Sequence, residues 1–389
     1  MKLLSILLAS ATSCLAVSSS NNDYSRYILA PARRTVIPAG VYQTRGNVLN
    51  AQALLRANNT APSTINGNAS ITLDFRKNVA GIVSVRVGKT SPNASFGVTF
   101  SESSEFVSYK YSDATQDEGR DSPLWFNISA GTNTYTTSDI HNRGGFRYLT
   151  IVSSLPTANI DIEQVTLNFT AAPSQDLKAY AGHFHCNDEL LNRIWYAGAY
   201  TNQLCTIDPR MGSALDMGSG SGSGRVVPWF ANTTIANGST VFTDGAKRDR
   251  LIWPGDMAIS LDVIATSTYD LRSIRNALEG LMSRQTPDGR LPFTTPPLPD
   301  PVSFTYHCHG IVGLVNYYMY SGDRQWLSSH WGQIENAIQW ALSNIDNTGL
   351  ANVTDGPDWR NGVSGHVSNR MRMPDLAVSF RDRRTMYAN

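Results

Sequence analysis

The stretch Thr243-Asp-Gly-Ala-Lys-Arg-Asp-Arg-Leu-Ile-Trp-Pro-Gly-Asp256 contains three carboxylates and one tryptophan in a short segment. Asp-Gly and Pro-Gly pairs lie near its two ends, which predicts a shaped loop rather than the interior of a helix. Acid-catalysed hydrolysis of a sugar linkage needs carboxyl groups of unlike pKa beside an apolar face on which a sugar ring can stack. Asp244, Asp249, Asp256 and Trp253 supply those groups, so this stretch is a candidate site for sugar hydrolysis.

A simpler interpretation of the same residues is a solvated charged loop, in which Asp256 only caps the helix that follows. Charged loops greatly outnumber active sites, so the residue types alone favour this interpretation. Trp253 argues against it, because a tryptophan between charged residues is either a buried anchor or a stacking platform, and sugar hydrolases favour the platform. A general acid at Asp249 needs a raised pKa, which the nearby carboxylates would supply and Arg248 and Arg250 would oppose. We therefore expect one or both guanidiniums to turn away from Asp249 or to bind the other two carboxylates.

Upstream of this stretch, apolar and polar residues alternate with a period of two from about residue 30 to 175. The clearest runs are Ile71, Leu73 and Phe75, then Val83, Val85 and Val87, then Phe96, Val98 and Phe100. A phase shift at Glu163-Gln164 predicts a β-bulge. Many short strands separated by polar turns, without helices between them, predict an antiparallel β-sandwich domain over residues 19–176.

Downstream of residue 177 the apolar period changes to 3.6, which predicts helices. The first helix should begin after Asn187 as its N-cap, with an apolar face made of Leu190, Leu191, Ile194 and Trp195. Further helices are predicted at residues 256–268, 270–284, 306–320 and 324–345. The chain is therefore multidomain, and helical hairpins with long loops follow the sandwich from residue 177 to 389.

The N-terminal residues predict secretion. Met1-Lys2 precedes an apolar run from Leu3 to Val17, so residues 1–18 have the composition of a signal peptide, and the run is too short to span a membrane. A net charge of +1 without a basic stripe argues against nucleic-acid and membrane partners, while the oligomeric state is left open. Asn-x-Ser/Thr sequons predict N-glycosylation at Asn58, Asn68, Asn93, Asn127, Asn168, Asn232, Asn237 and Asn352.

Three cysteines remain once Cys14 is removed with the signal peptide: Cys186, Cys205 and Cys308. Cys186 and Cys205 flank one helix-length segment and form the natural pair, and a disulfide closing that loop would contribute roughly 3 kcal/mol to stability. An equally weighted alternative is that all three are buried free thiols.

Tyr306-His307-Cys308-His309 has the residue types of a metal site. Consecutive residues on a helix cannot converge on one ion, and no second cluster of ligands is present in the sequence. The segment is therefore interpreted as packing, and neither a metal nor another cofactor is predicted.

The segment from Asp244 to Asp256 resembles the signature of the family 78 glycoside hydrolases, the α-L-rhamnosidases. Less specific similarity extends from about residue 30 to 365, including Gly145-Phe-Arg-Tyr-Leu149 and Gly182-His-Phe-His-Cys186. The resemblance implies an (α/α)6 six-hairpin barrel and an inverting mechanism, in which one carboxylic acid protonates the glycosidic oxygen and another carboxylate activates water. By position, it gives the general acid as Asp249, the sugar-holding carboxylates as Asp244 and Asp256, the stacking residue as Trp253, and further substrate contacts as Arg248 and Trp359.

The chain departs from that family in two ways. The acid is usually Glu, and Asp249 is one methylene shorter, a change that can cost on the order of 100-fold in rate. The predicted helices supply only part of a six-hairpin barrel, the sequence from about residue 367 is basic and aperiodic, and no residue corresponds to the family's general base. We therefore expect an incomplete barrel with impaired turnover and poor solubility. The alternatives are a carbohydrate-binding protein without catalysis and a six-hairpin glycosidase of another sugar specificity.

Overall fold

The computed structural model describes residues 24–57, 61–115, 120–131, 133–213, 229, 231–298, 300–353 and 369–372. The predicted signal peptide, Cys14, Asn58, Trp359 and residues 373–389 of the predicted tail lie outside these ranges, as does the side chain of Asn352. None of the helices formed by the described residues has both the length and the apolar character needed to cross a membrane.

The first part of the chain is a β domain. Its strands are β1 (Thr35–Val36), β2 (Gly40–Leu49), β3 (Ser63–Thr90), β4 (Ser95–Ser101), β5 (Ser112–Asp113), β6 (Arg120–Asp121), β7 (Leu124–Asn127), β8 (Thr134–Thr136), β9 (Arg143–Ser153) and β10 (Asn159–Phe169). Eight strands form one sheet in the order β1-β10-β3-β9-β4-β7, with β2 and β8 also paired to β3, while β5 pairs with β6. Short 3-10 helices lie at Tyr24–Tyr27, Ala51–Leu55, Ser104–Phe106 and Asp139–His141.

The long strand β3 joins the whole sheet, since β2, β8, β9 and β10 all pair with it. Gly81 lies opposite Phe169 and Val85 opposite Val165, so residue numbers rise along one strand as they fall along the other, in the antiparallel sense that the sequence predicts. β10 pairs with both ends of β3, since Ile160 lies opposite Ile65 and also opposite Thr90, so the sheet curls on itself, and the sandwich arrangement of this domain remains a prediction.

The predicted bulge in β10 is confirmed. Ile162 lies opposite Val87 and Gln164 opposite Arg86, so Glu163 is an extra residue in its strand. Because side chains alternate across a strand, this extra residue changes which face of the sheet the following side chains occupy. Val165 and Leu167 are thereby buried in the core.

The second part of the chain is helical. Its helices are α1 (Glu189–Leu204), α2 (Pro254–Thr266), α3 (Leu271–Met282), α4 (Phe304–Ser321) and α5 (Arg324–Ser343). Short elements accompany them: β11 (Thr206–Ile207) paired with β12 (Val241–Phe242), β13 (Leu350–Val353) paired with β14 (Asn369–Arg372), and the 3-10 helix Pro209–Met211. All predicted helices are present, whereas closure into a six-hairpin barrel remains a prediction.

Helix α1 differs from its prediction in two respects. Asp188 rather than Asn187 is its N-cap, because the Asp188 carboxylate accepts hydrogen bonds from the amides of the first turn. The predicted apolar face is also largely exposed, with Leu190 64% and Ile194 55% accessible. The opposite face is buried instead, since Tyr196, Ala199, Tyr200 and Leu204 complete the hydrophobic core of the β domain.

The predicted disulfide between Cys186 and Cys205 is not formed, and both residues are free thiols. The 16 residues of α1 lie between them, and a helix of that length spans roughly 24 Å at 1.5 Å per residue. A disulfide needs Cα atoms within about 7 Å, so the helix holds the two cysteines too far apart. Cys205 is buried, while Cys186 and Cys308 are half-buried.

The predicted glycosylation sites satisfy a necessary condition. The six sequon asparagines whose side chains are described are all exposed: Asn68, Asn93, Asn127, Asn168, Asn232 and Asn237. A glycan needs a surface asparagine, so each position could carry one, although attachment itself stays a prediction.

His307 is a fully buried part of the helical core. Its Nδ1 accepts a hydrogen bond from the Leu291 amide at 2.9 Å, and its Nε2 lies 2.9 Å from the Ala337 carbonyl oxygen. Burial lowers the His307 pKa to about 4 from its ordinary 6.5. The ring is therefore neutral in the folded protein, with its proton on Nε2.

We predict that His307 makes the fold sensitive to mild acid. The unfolded chain binds a proton near pH 6.5 and the folded chain only near pH 4, so stability falls as the pH drops between these values, by on the order of 3 kcal/mol. His307→Gln should be less stable than wild type at pH 7 and should lose less stability on acidification. Urea unfolding at pH 7 and pH 4.5 measures both effects. His330→Gln, on α5, is the control and should keep the wild-type pH dependence; equal slopes in wild type and His307→Gln would contradict the assignment.

Candidate active site

Two aspartates of the opening stretch, Asp244 and Asp249, lie on a loop between β12 and α2, and the third, Asp256, lies in the first turn of α2. The carboxylate loop, residues 244–251, begins after Thr243, whose hydroxyl and amide both donate to the Cys205 carbonyl oxygen at 2.8 and 2.9 Å. The Asp244 amide donates to the Leu251 carbonyl oxygen at 3.1 Å. The two ends of the loop are therefore joined, as the predicted shaped loop requires.

Asp244 organises the inside of this loop. Its Oδ1 accepts from the Leu251 amide at 3.1 Å and its Oδ2 from the Asp249 amide at 3.3 Å. Burial and, after it, the negative charge of Asp249 raise the Asp244 pKa to about 7, while the Leu251 and Asp249 amides oppose the shift. Asp244 therefore gains or loses its proton near neutral pH. Its carboxyl group also holds the backbone of the loop in place through the two amides.

Asp249 projects from the loop beside an arginine. Its side chain is 20% exposed, and its Oδ1 lies 3.0 Å from Arg248 Nε and 2.8 Å from Arg248 Nη2. The expectation for the two arginines is met by Arg250 alone, which turns away and donates to the Asn142 carbonyl oxygen at 2.9 Å. A guanidinium on a carboxyl group favours its ionised form. Arg248 thus acts against proton donation by Asp249 in this arrangement.

Asp256 lies in the first turn of α2. Trp253 occupies the N-cap position and makes no side-chain cap, so Asp256 is not the helix cap of the simpler interpretation. The residue is exposed, yet the surrounding groups limit hydration of its carboxyl, and this effect followed by the charge of Asp249 raises its pKa. Its own backbone N–H and the charge of His309 act in the opposite direction.

Trp253 is a buried anchor and not the open stacking platform that the resemblance implies. Only 5% of it is exposed, and it belongs to the core of the helical domain. Its ring meets Phe293 at 4.8 Å and Tyr306 at 5.8 Å between centroids, both in edge-on geometry. Its Nε1 is buried without a hydrogen-bond partner among the described residues. Since neighbouring aromatics cover the ring, a sugar cannot stack on it in this conformation.

Two residues of α4, Tyr306 and His309, lie at this site and were not predicted. Tyr306 contacts Trp253 and also lies against Gly255, where an added Cβ would come within 3.3 Å of its ring. His309 is close enough to Asp256 to affect its titration. The two residues are three positions apart, a spacing that puts them on one face of a helix. That spacing is the signal in the sequence, and it was obscured by interpreting residues 306–309 as a single packing segment.

The site therefore brings together carboxyl groups in unlike surroundings. Asp244 binds a proton near neutrality and Asp249 is paired with a cation, the kind of contrast that lets two carboxyl groups take different roles. In the described part of the chain, no group of three His, Cys, Asp or Glu side chains is arranged to hold a metal ion. The chemistry available here is proton transfer and hydrogen bonding to a polar ligand.

We predict that Asp244 gives the fold a pH dependence of the opposite sign to that of His307. The folded-state pKa is raised from 3.8 to about 7, so the contribution of Asp244 to stability is complete below pH 3.8 and is lost as the pH rises through 7, by at most about 4 kcal/mol. Asp244→Asn removes this contribution. The difference in unfolding free energy between wild type and variant should therefore fall from pH 4 to pH 8, as urea titrations can measure. Asp262→Asn, an exposed change on α2, is the control, and parallel profiles for wild type and Asp244→Asn would contradict the shift.

Residues 225–373 match the domain family described as the bacterial alpha-L-rhamnosidase 6 hairpin glycosidase domain. This range contains the carboxylate loop and helices α2 to α5. No protein of curated function matches the chain in sequence.

Two solved structures have a similar fold. The family 78 rhamnosidase of Bacillus sp. GL1 is 15% identical with a TM-score of 0.60, and the alignment covers 80% of this chain and 28% of that one. The rhamnosidase from Klebsiella oxytoca, solved with rhamnose bound, is 19% identical with a TM-score of 0.58, and the alignment covers 85% of this chain and 61% of that one. The chain thus spans less than two thirds of each relative. The matched domain includes residues 244–256, which carry the predicted resemblance, and the two solved structures show that the fold is similar.

Proposed function

We propose that this chain, whose residues 225–373 match a rhamnosidase hairpin domain, is a secreted family 78 glycosidase that hydrolyses terminal α-L-rhamnosyl linkages of plant glycosides or polysaccharides with inversion. The observation that carries the proposal is the carboxylate loop, where Asp244 and Asp249 lie within one hydrogen-bonded turn and differ in their surroundings. Rhamnose bound to the Klebsiella oxytoca relative supports the choice of sugar. The helices fit successive hairpins of an (α/α)6 barrel.

The proposed general acid is Asp249, by its place in the loop. For it to donate a proton, Arg248 has to leave its Oδ1 oxygen. Arg248 is 34% exposed and can therefore turn towards a sugar hydroxyl, which would return Asp249 to the influence of the neighbouring carboxyl groups. Substrate binding would then prepare the acid. In this scheme Arg248 and Asp256 hold the sugar, and Asp244 holds the loop.

The second candidate function is carbohydrate binding without hydrolysis. The Arg248–Asp249 ion pair favours it, because an ionised, paired carboxylate is a hydrogen-bond acceptor and not an acid. The shorter side chain of Asp249, compared with the Glu usual in the family, points the same way and would impair turnover.

We predict that the chain releases the aryl group from an aryl α-L-rhamnoside and that Asp249→Asn lowers kcat about 100-fold or more while rhamnose binding persists. Asp249→Glu restores the longer acid of the family and should retain or raise the rate. Asp262→Asn, on the exposed side of α2, is the matched control and should leave the rate unchanged. Calorimetric titration with rhamnose measures binding independently of turnover.

Each outcome of this experiment separates the candidates. Rhamnose binding by wild type without release of the aryl group favours the second function. Release that survives Asp249→Asn unchanged contradicts the role of Asp249. Activity on another aryl glycoside, in preference to the rhamnoside, would replace the proposed sugar and leave the reaction class intact.

Secretion is proposed from the signal-like residues 1–18 and the six exposed sequon asparagines. Expressed with its own N-terminus in a eukaryotic secretory host, the protein should reach the medium without residues 1–18 and lose mass on treatment with an endoglycosidase. Retention in the cell as an unglycosylated chain of full length would contradict this. Replacing Leu3, Leu4 and Leu7 with Gln in one variant is the control that should abolish export.

A further inference from the structure

The β domain contacts the carboxylate loop at the beginning of β9. Gly144 faces the loop so closely that an added Cβ would lie 1.5 Å from the Ala246 carbonyl oxygen, a backbone atom that cannot move aside alone. The same Cβ would lie 3.2 Å from Arg250 Nη1. Only glycine at position 144 allows the two backbones to meet. The loop therefore rests on the β domain and not on the helical domain alone.

Arg250 connects this contact with the β domain to Asp249, the proposed acid. Its backbone adopts φ 56°, in the left-handed region that disfavours any residue with a Cβ. Its side chain is buried, and Nη1 donates to the Asn142 carbonyl oxygen at 2.9 Å, across 108 residues of sequence. Strained backbone persists only where surrounding contacts hold it. The hydrogen bond to the β domain is such a contact, one residue from Asp249.

Ion pairs reinforce the same contact. Lys247 Nζ lies 2.9 Å from Glu102 Oε2 and 3.7 Å from Asp113 Oδ2, both on the β domain. Asp113 and Asp121 in turn bind the fully buried Arg143. These carboxylates offset the positive charges that the loop and β9 bring together. Three residues of the loop, Ala246, Lys247 and Arg250, are thus held from the β side.

We propose that Arg250 is a positioning residue: anchored on the Asn142 carbonyl oxygen, it fixes the backbone of the carboxylate loop and thereby the direction of Asp249. Without the guanidinium, the φ angle of residue 250 can relax to negative values. The Asp249 amide would then leave Asp244 Oδ2, now 3.3 Å away. The kinetic consequence rests on the proposed function, whereas the effect on the loop does not.

Hydrogen exchange measured by mass spectrometry tests the effect on the loop without requiring activity. In wild type the Asp249 and Leu251 amides donate to the Asp244 carboxylate and should exchange slowly. Arg250→Met should increase their exchange rate about tenfold, and Arg250→Lys, which keeps a donor, should change it less. Arg34→Met is the matched control, because Arg34 donates to backbone carbonyls such as Phe169 O and Ala171 O and none of its hydrogen bonds reaches the loop.

Several results would overturn the proposal. Loop exchange in Arg250→Met equal to that in Arg34→Met would show that Arg250 contributes only general stability. Should Arg250→Met fail to fold, Gly144→Ala displaces the loop from the β side with Arg250 intact, and unchanged exchange in that variant would be equally decisive.

Kinetics provide the second readout. Arg250→Met should lower kcat on an aryl α-L-rhamnoside about tenfold with little change in KM, because a misdirected acid weakens the transition state more than substrate binding. Arg34→Met should leave kcat unchanged. An inactive wild type whose loop exchange still responds to Arg250→Met would refute the proposed function and retain the positioning role. Full kcat in Arg250→Met with a loosened loop would refute the link from loop to acid.

Discussion

One carboxylate holds together the part of this molecule on which its chemistry depends. Asp244 accepts hydrogen bonds from the amides of Asp249 and Leu251, and so folds the polar segment between them into a compact turn. The arrangement has an electrostatic cost, because a buried carboxyl group beside another acid binds its proton more tightly. The carboxyl group of Asp244 therefore both holds the backbone of the loop and binds a proton. The carboxylate that holds the backbone of the loop therefore also lies beside the carboxyl group of Asp249.

The two domains meet at this turn and contribute different constraints. The helical domain supplies the buried aromatic cluster of Trp253, Phe293 and Tyr306, which fixes the exit of the loop into α2. The β domain supplies a side-chain-free surface at Gly144 and an acceptor at Asn142. The loop is thus clamped between an apolar wall and a polar one. The geometry of such a site depends on the contacts between the two domains, and neither domain fixes it alone.

Sequence patterns predicted what depends on local periodicity. The alternation of Ile71, Leu73 and Phe75, the bulge at Glu163 and the existence of helices α1 to α5 follow from repeats of two and 3.6, because burial imposes those periods on neighbours in the chain. The loop signature also indicated the glycosidase family, which the domain match supports.

What sequence patterns missed depends on contacts between distant residues. The sequence of α1 offers two faces that could be buried. The face with Tyr196 and Tyr200 is buried, because it packs into the core of the β domain, while Leu190 and Ile194 stay exposed. Trp253 has the same sequence context whether it is open or covered, and only the positions of Phe293 and Tyr306 decide. Likewise, Arg248 and Arg250 flank Asp249 symmetrically in the sequence, yet one pairs with it and the other reaches a carbonyl group 108 residues away.

The length of β3 has a consequence for the order of assembly. Gly81 on this strand pairs with Phe169, so the central strand has β2 beside it early but gains its last neighbour, β10, only when most of the β domain has been synthesised. Folds dominated by such distant pairings form slowly. On the ribosome, the surface that receives the carboxylate loop therefore matures only after β9 and β10 have emerged, and the loop follows them in the chain. The order of the sequence thus allows the support to be completed before the acid that it directs.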